Sequence, residues 1–374
     1  MSNANLTSRP VAEPLHVLHL VPRDAHARFG RMFRQLGLAL EEEGFRVSLA
    51  SDDPRLIADV ETSPIAGVAV RAFTGWRALG LLAEIDRVIE QPADFLHAWG
   101  LSALPAARRI ALRSPRPILV HLTTMDELDL LARRPLKQGE YVAVACRRQA
   151  AWLRQRRAAS PMPSVIEPGL LAPDELPPRE IESRTLGILW LARPTTLVAM
   201  QLLLDFVAAL RKENAETQTV VALDGAAAGR LWRTARERSL HDCITILEDS
   251  LLWNQALRGF DVCIVPSNQT ELSLAPLLAM SLGEIVIAAR EQLADWFSAD
   301  ETIMTYATGD ALDLARQVQR VIERQPACAA LSRSAIQYVR ERHSLSSMAT
   351  RLIELYSTLV ADWRRLAARS EVRV

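Results

Sequence analysis

Short apolar runs alternate with longer segments of helical period along almost the whole chain, and that alternation limits the fold more than any other feature. In the first half the runs are LHVLHLV (15–21), RVSLAS (46–51), GVAVRAF (67–73), DFLHAW (94–99), PILVHL (117–122) and YVAVAC (141–146). Between the first two lies FGRMFRQLGLALEEEGF. There Phe29, Met32, Phe33, Leu36 and Leu40 recur at helical spacing, and Gly44 stands where a helix-ending glycine belongs. Near-continuous apolar strands joined by helices mean a parallel sheet covered on both faces.

The composition then changes. LAPDELPPREIES (171–183), with two adjacent prolines and four acids, reads as a linker. The alternation restarts with LGILWLA (186–192), QTVVALDG (218–225), CITILE (243–248), DVCIVP (261–266), EIVIAA (284–289) and TIMTYA (302–307). The last segment, SSMATRLIELYSTLVADWRRLAARS, carries Met348, Leu352, Leu355, Tyr356, Leu359 and Trp363 on one stripe, as an amphipathic helix does. The expected architecture is α/β, two Rossmann-like doubly wound parallel-sheet domains facing a central cleft. Its parts are a disordered lead (1–14), a first domain (15–170), a linker (171–184), a second domain (185–340), and a C-terminal helix with tail (341–374) packing back across the cleft. Open parallel sheets bind ligands outside the carboxyl ends of their strands, so the site is sought just after the strands.

Several classes are excluded by the totals. With 44 basic and 44 acidic residues the formal net charge is zero, which gives no basic field for nucleic acid. The 4 cysteines form no CxxC pair, so neither a disulfide framework nor a zinc site is expected. No apolar stretch approaches the roughly 20 residues of a membrane span. The polar opening MSNANLTSRPVAEP has no signal-peptide core. The chain is expected to be cytoplasmic, with peripheral membrane association and oligomeric state left open. Neither GxGxxG nor GxxxxGK[ST] is present.

In their order and spacing these segments resemble the GT-B glycosyltransferases, and among them the retaining family 4 enzymes. The likeness covers most of 15–365. It is carried by FGRMFRQLGLALEEEGFRVSLAS, FLHAWGLSALPAARRI, PILVHLTTMDE, VIEPGLL and LGILWLARP, and most clearly by DVCIVPSNQTELSLAPLLAMSLGEIVIAA (261–289), with a helix expected to begin near Pro276. The resemblance implies a nucleotide-diphosphate sugar as donor substrate, no further cofactor, no metal, and a carbohydrate acceptor held by the first domain.

Residue by residue, the family pattern places Arg193 at the donor diphosphate. The second cation of that clamp, a lysine, falls in PTTLVA and is missing. Of two carboxylates, the sugar-binding one aligns with Thr270, with Glu271 one residue away. The ribose-binding one aligns with Leu278, which cannot accept hydroxyl protons. Ser267, Asn268 and Thr270 make up the surrounding donor loop. Ala27 and Arg28 occupy the place of a flexible Gly-Gly loop, where Arg28 would supply charge directly, and Gly30 matches a glycine at the helix start. On the acceptor side a histidine position is taken by Thr123, with Asp126 close by and His97 and Trp99 at another strand end. Asp52 and Asp53 look like a metal pair only superficially and are left out of the site.

Three functions follow. The first is retaining transfer of a sugar from a nucleotide-diphosphate sugar to a glycan or glycan precursor, a hexosyltransferase-type reaction that rests on Arg193 and Glu271. The second is a catalytically inactive GT-B protein acting as a binding or assembly partner, which the departures at 27–28, in PTTLVA and at 278 favour. A sugar-nucleotide epimerase or phosphorylase is the third, and no carboxylate–histidine pair for proton abstraction is legible in its support.

Overall fold

The computed structural model describes residues 14–75, 80–89, 91–156, 162–173, 185–223, 225–247, 259–266, 272–291 and 295–371. Two parallel sheets carry the chain. The first holds β1 (His16–Val21), β2 (Arg46–Ser51), β3 (Ala66–Ala69), β4 (Phe95–Trp99), β5 (Ile118–Leu122), β6 (Glu140–Val144) and β7 (Ser164–Val165), in the order β3-β2-β1-β4-β5-β6-β7. The second holds β8 (Leu186–Trp190), β9 (Thr217–Ala222), β10 (Ile244–Leu247), β11 (Val262–Val265), β12 (Ile285–Ala289) and β13 (Met304–Tyr306), in the order β10-β9-β8-β11-β12-β13. Each order reverses direction once, between β1 and β4 and between β8 and β11. Each expected apolar run overlaps one of these strands, which starts inside the run or one residue before it; the two-residue β7 was not expected.

The chain forms two compact units. One takes the residues up to His121, Leu136–Tyr141 and the chain from Leu352 on; the other takes Leu122–Pro135 and Val142–Arg351. In the first unit the helical segment after β1 is two helices, α1 (Arg23–Phe29) and α2 (Met32–Glu42). The break is Gly30, whose φ of 51° ends α1 at a cost that only glycine avoids. Phe29, Met32, Phe33, Leu36 and Leu40 are all buried, so the helical spacing marked the right face across that break. Two further helices of this region are α3 (Pro54–Val60), capped by Asp53, and α4 (Leu81–Val88). Next come α5 (Leu104–Arg113), α6 (Met125–Ala132) with a complete Thr124–Glu127 capping box, and α7 (Arg147–Arg156).

The second sheet is covered by α8 (Leu197–Lys212), α9 (Gly225–Glu237), α10 (Ala275–Ser281), α11 (Ala311–Glu323) and α12 (Gln325–Arg342). Its core gathers Trp190, Leu203, Phe206, Val221, Ile264, Ile287 and Tyr306, all within 1% of complete burial. The last helix, α13 (Leu345–Glu371), buries Met348, Leu352, Tyr356 and Leu359 of its predicted stripe. Its Trp363 lies over Gly139, a turn residue at φ 82° where a Cβ would come within 2.3 Å of the indole. Any side chain at 139 would therefore both strain the turn and displace the ring.

Candidate functional site

In the second unit the strand order reverses between β8 and β11, which makes their carboxyl ends the expected ligand position. The Leu191 N–H donates to the Ile264 carbonyl at 2.8 Å, so the loop after β8 leaves the sheet beside β11. Arg193 follows on that loop and is exposed. Its carbonyl accepts from the Thr195 N–H at 2.8 Å, and the Thr196 side chain then caps α8 by accepting from the Ala199 N–H at 3.2 Å. The turn that presents Arg193 is thus held by its own backbone and by a helix cap. Beyond the cap, Leu197 and Val198 are 78% and 81% exposed.

In the first unit the reversal lies between β1 and β4, and the chain leaving β1 enters α1. The loop after β2 grips that helix twice. The Asp52 carboxylate accepts from the Arg23 N–H at 2.7 Å, and the Asp53 Oδ2 lies 2.9 Å from the His26 Nδ1. The other Asp53 oxygen accepts from the Arg55 N–H and the Arg55 Nε, both at 3.1 Å, while the Asp53 N–H donates to the Ser51 hydroxyl at 3.0 Å. Burial alone would raise the Asp53 pKa; the hydrogen bonds from His26 and Arg55 outweigh it and hold the carboxyl below its ordinary value. An ionised carboxylate only accepts, so the His26 Nδ1 carries the proton and donates it. In the neutral ring Nε2 is then the basic nitrogen. The side chain of Asp53 is 2% exposed and that of His26 12%. A buried acid therefore orients a ring that still reaches the surface.

Residues 186–324 match the family model described as glycosyl transferases group 1. A glycosyltransferase from Rickettsia africae superposes with a TM-score of 0.72 at 15% identity, over 93% of this chain and 99% of that one. HepE from Anabaena, in complex with UDP and glucose, gives 0.69 at 14% over 92% and 100%. A sucrose-phosphate synthase from Thermosynechococcus elongatus gives 0.70 at 18% over 93% and 100%. The chain has the GT-B glycosyltransferase fold. Curated relatives match only locally. Cobyric acid synthases from Xanthobacter autotrophicus and Methylobacterium nodulans are 38% identical over 95 residues and 34% over 93, and this chain spans 18% of each.

On this GT-B frame the residues singled out in the sequence are spread over different environments. Ser267, Asn268, Thr270 and Glu271 lie outside the described residues. Leu278 sits in α10, which starts at Ala275 with Pro276 in its first turn, and its side chain is partly buried. Arg28 bonds Asp24 one helical turn back at 3.2 Å, and its Nε is buried with no hydrogen-bond partner. Thr123 is buried; its N–H donates to Glu127 at 3.1 Å and its hydroxyl has no partner. Asp126 is exposed in the first turn of α6.

His97 and Trp99 are 0% and 2% exposed, inside a cluster of rings. The His97 ring lies 5.1 Å from His19, 5.6 Å from His121 and 4.4 Å from Trp99. Its Nδ1 shares a 2.5 Å hydrogen bond with the Tyr356 hydroxyl of α13. The Trp99 indole N–H donates to the His19 Nδ1 at 3.0 Å, which requires that nitrogen to be unprotonated. Burial lowers the pKa of His19 and of His121 to about 3, and that of His97 well below its ordinary value. These imidazoles are neutral structural rings.

No carboxylate–histidine pair was legible in the sequence, and the structure brings one together in His26 and Asp53. The two are 27 positions apart and meet only because β1 and β2 are neighbours in register. The adjacent acids after β2 were the available signal for this contact. Among the described residues no group of three or more His, Cys, Asp or Glu side chains could hold a metal ion, and no helix is long and apolar enough to cross a membrane.

Proposed function

We propose that the chain is a cytoplasmic glycosyltransferase that moves a hexose-type sugar from a nucleotide-diphosphate sugar to a carbohydrate or glycan-precursor acceptor, with retention at the anomeric carbon. The position of Arg193 carries this reading: an exposed guanidinium at the end of β8, at the strand reversal of a sheet matching the group 1 glycosyl transferases. A guanidinium can bind two phosphate oxygens at once and offset the charge that the leaving diphosphate gains. Glu271 is assigned to the sugar hydroxyls, and Ser267, Asn268 and Thr270 to the donor loop. Arg28, Thr123 and Asp126 are assigned to the surroundings of the substrates. The solved complex of HepE with UDP and glucose supports a nucleotide-sugar donor for this fold.

A test is thermal melting against UDP, GDP and ADP and their sugar conjugates. A ligand that binds only the folded state at about 100 times its Kd adds about 2.7 kcal/mol of stability and raises Tm. Arg193→Ala is expected to weaken the effective nucleotide by about 1.5–3 kcal/mol. A shift that survives Arg193→Ala would remove Arg193 from the site.

A non-catalytic binding role is the second reading. Hydrocarbon at Leu278 and the exposed Leu197 and Val198, in the stretch where the family carries its second cation, favour it. No melting shift from any of the nucleotides is its expected outcome.

A further inference from the structure

We propose that a groove on the second unit binds an extended peptide segment of a partner protein, one that carries both acidic and basic side chains. The groove encloses about 800 Å³ between α12, the end of α11 and the chain that enters β13. That is a size at which ligand pockets occur. It is not the place where Arg193 stands. Met304, which lines the groove, is the first residue of β13, and Asp300, Glu301 and Thr302 precede that strand. The strands from β8 to β11, β12 and β13 are parallel, so the groove lies at their amino edge, whereas Arg193 follows β8 at the carboxyl edge.

The groove holds charges of both signs that do not neutralise one another. Arg320 and Arg324 stand together where α11 gives way to α12, and like charges this close repel. Among the described residues neither guanidinium meets a carboxylate; Arg320 donates only to the neutral Gln317 amide oxygen, at 3.1 Å. The carboxylates likewise meet neutral groups. Glu301 accepts from the Ser298 hydroxyl at 2.5 Å, and Glu341 from the Gln337 amide at 2.8 Å. Asp300 sits at φ 63° on a turn closed by its own N–H, which donates to the Ile303 carbonyl at 2.9 Å. All five of these charged side chains are exposed. Between the charges, the half-buried Met304, Leu331 and Tyr338 supply apolar surface.

An occupant that meets both Arg324 and Glu341 must be long. These residues mark the start and the end of α12, which advances about 25 Å between them at about 1.5 Å per residue. Allowing for the reach of the two side chains, the occupant spans on the order of 15–20 Å, about five or six residues of extended chain. A lipid surface or a nucleic acid would bring only negative charge, which Asp300, Glu301 and Glu341 repel. An extended peptide supplies both signs, apolar side chains for Leu331 and Tyr338, and main-chain groups beside β13, the last strand of its sheet. Its acidic residue lies over Arg320 and Arg324, and its basic residue lies toward Glu341. The inference goes beyond the transferase and the non-catalytic readings and depends on neither.

The experiment selects from a display library of random decapeptides on the full-length protein. Enriched sequences are resynthesised with a fluorophore, and Kd is read by anisotropy for variants that melting curves show to be folded. The expected sequences carry an acid and a base separated by apolar residues. The double variant Arg320→Gln/Arg324→Gln should weaken them about 10–100-fold, and Glu341→Gln should act in the same direction. Ser334→Trp, which places an indole in the groove from an exposed position, should abolish binding. No enrichment, enrichment without a charge pattern, or affinities that survive Ser334→Trp overturn the proposal. A wild-type dimer in sedimentation that Ser334→Trp dissolves would give the groove to a second copy of the chain and overturn it as well. None of these outcomes alters the nucleotide melting test of Arg193.

Discussion

His19 and His26 belong to one strand–helix unit, His19 inside β1 and His26 on the helix that β1 feeds. Their surroundings differ in kind. His19 packs among His97, Trp99 and Tyr356, completely desolvated. His26 emerges past the strand end, where the neighbouring loop supplies an acid. A residue inside a buried parallel strand meets only the side chains of flanking strands and covering helices, which must be apolar or neutral. A residue past the strand end meets loops, which carry charge and reach water. The same side chain packs among rings in one place and bonds a carboxylate in the other.

The largest expected test of this contrast is acid. His19 and His121 have native pKa values of about 3, against about 6.5 in the unfolded chain. Between those values the unfolded state binds protons that the native state refuses, so stability falls as pH falls through that window. Each group contributes a slope of about 1.4 kcal/mol per pH unit. Denaturant unfolding should therefore lose on the order of 5 kcal/mol between pH 6 and pH 4 from these two rings, and His97 acts with the same sign. His121→Leu should remove one proton's share of that slope. An undiminished slope in that variant would mean that the acid sensitivity arises elsewhere.

Trp99→Ala comes next. It opens a cavity in the ring cluster and leaves the His19 Nδ1 without its donor, so a loss of about 3–5 kcal/mol is expected from unfolding curves. The smallest effect belongs to Arg55→Ala. Arg55 is 53% exposed, and its ion pair with Asp53 should contribute about 1 kcal/mol or less. A larger loss on Arg55→Ala would reveal that Asp53 depends on that guanidinium to stay ionised.

Much of the architecture was legible before any coordinates. The runs RVSLAS and DFLHAW become β2 and β4, since a strand covered on both faces must be apolar at nearly every position. Pro276 near a helix start, Gly44 past a helix end and the stripe from Met348 to Leu359 obey local rules of dihedral angle and period. The surroundings of the candidate site residues were legible in part. Arg193 follows a recognisable strand, whereas His97 and Trp99 also stand on a strand's end and prove to be interior. Period-two alternation separates the two faces of a sheet, but when both are covered it does not separate core from cleft.

By itself, then, the sequence determined the strands, the helices between them and their parallel arrangement, because burial and backbone geometry act over a few residues at a time. Only the tertiary structure decided which histidine meets an acid. Parallel crossovers bring the ends of β1 and β2 side by side after a whole helix has intervened, so His26 and Asp53 become neighbours at 2.9 Å across a separation of 27 positions that no local pattern encodes.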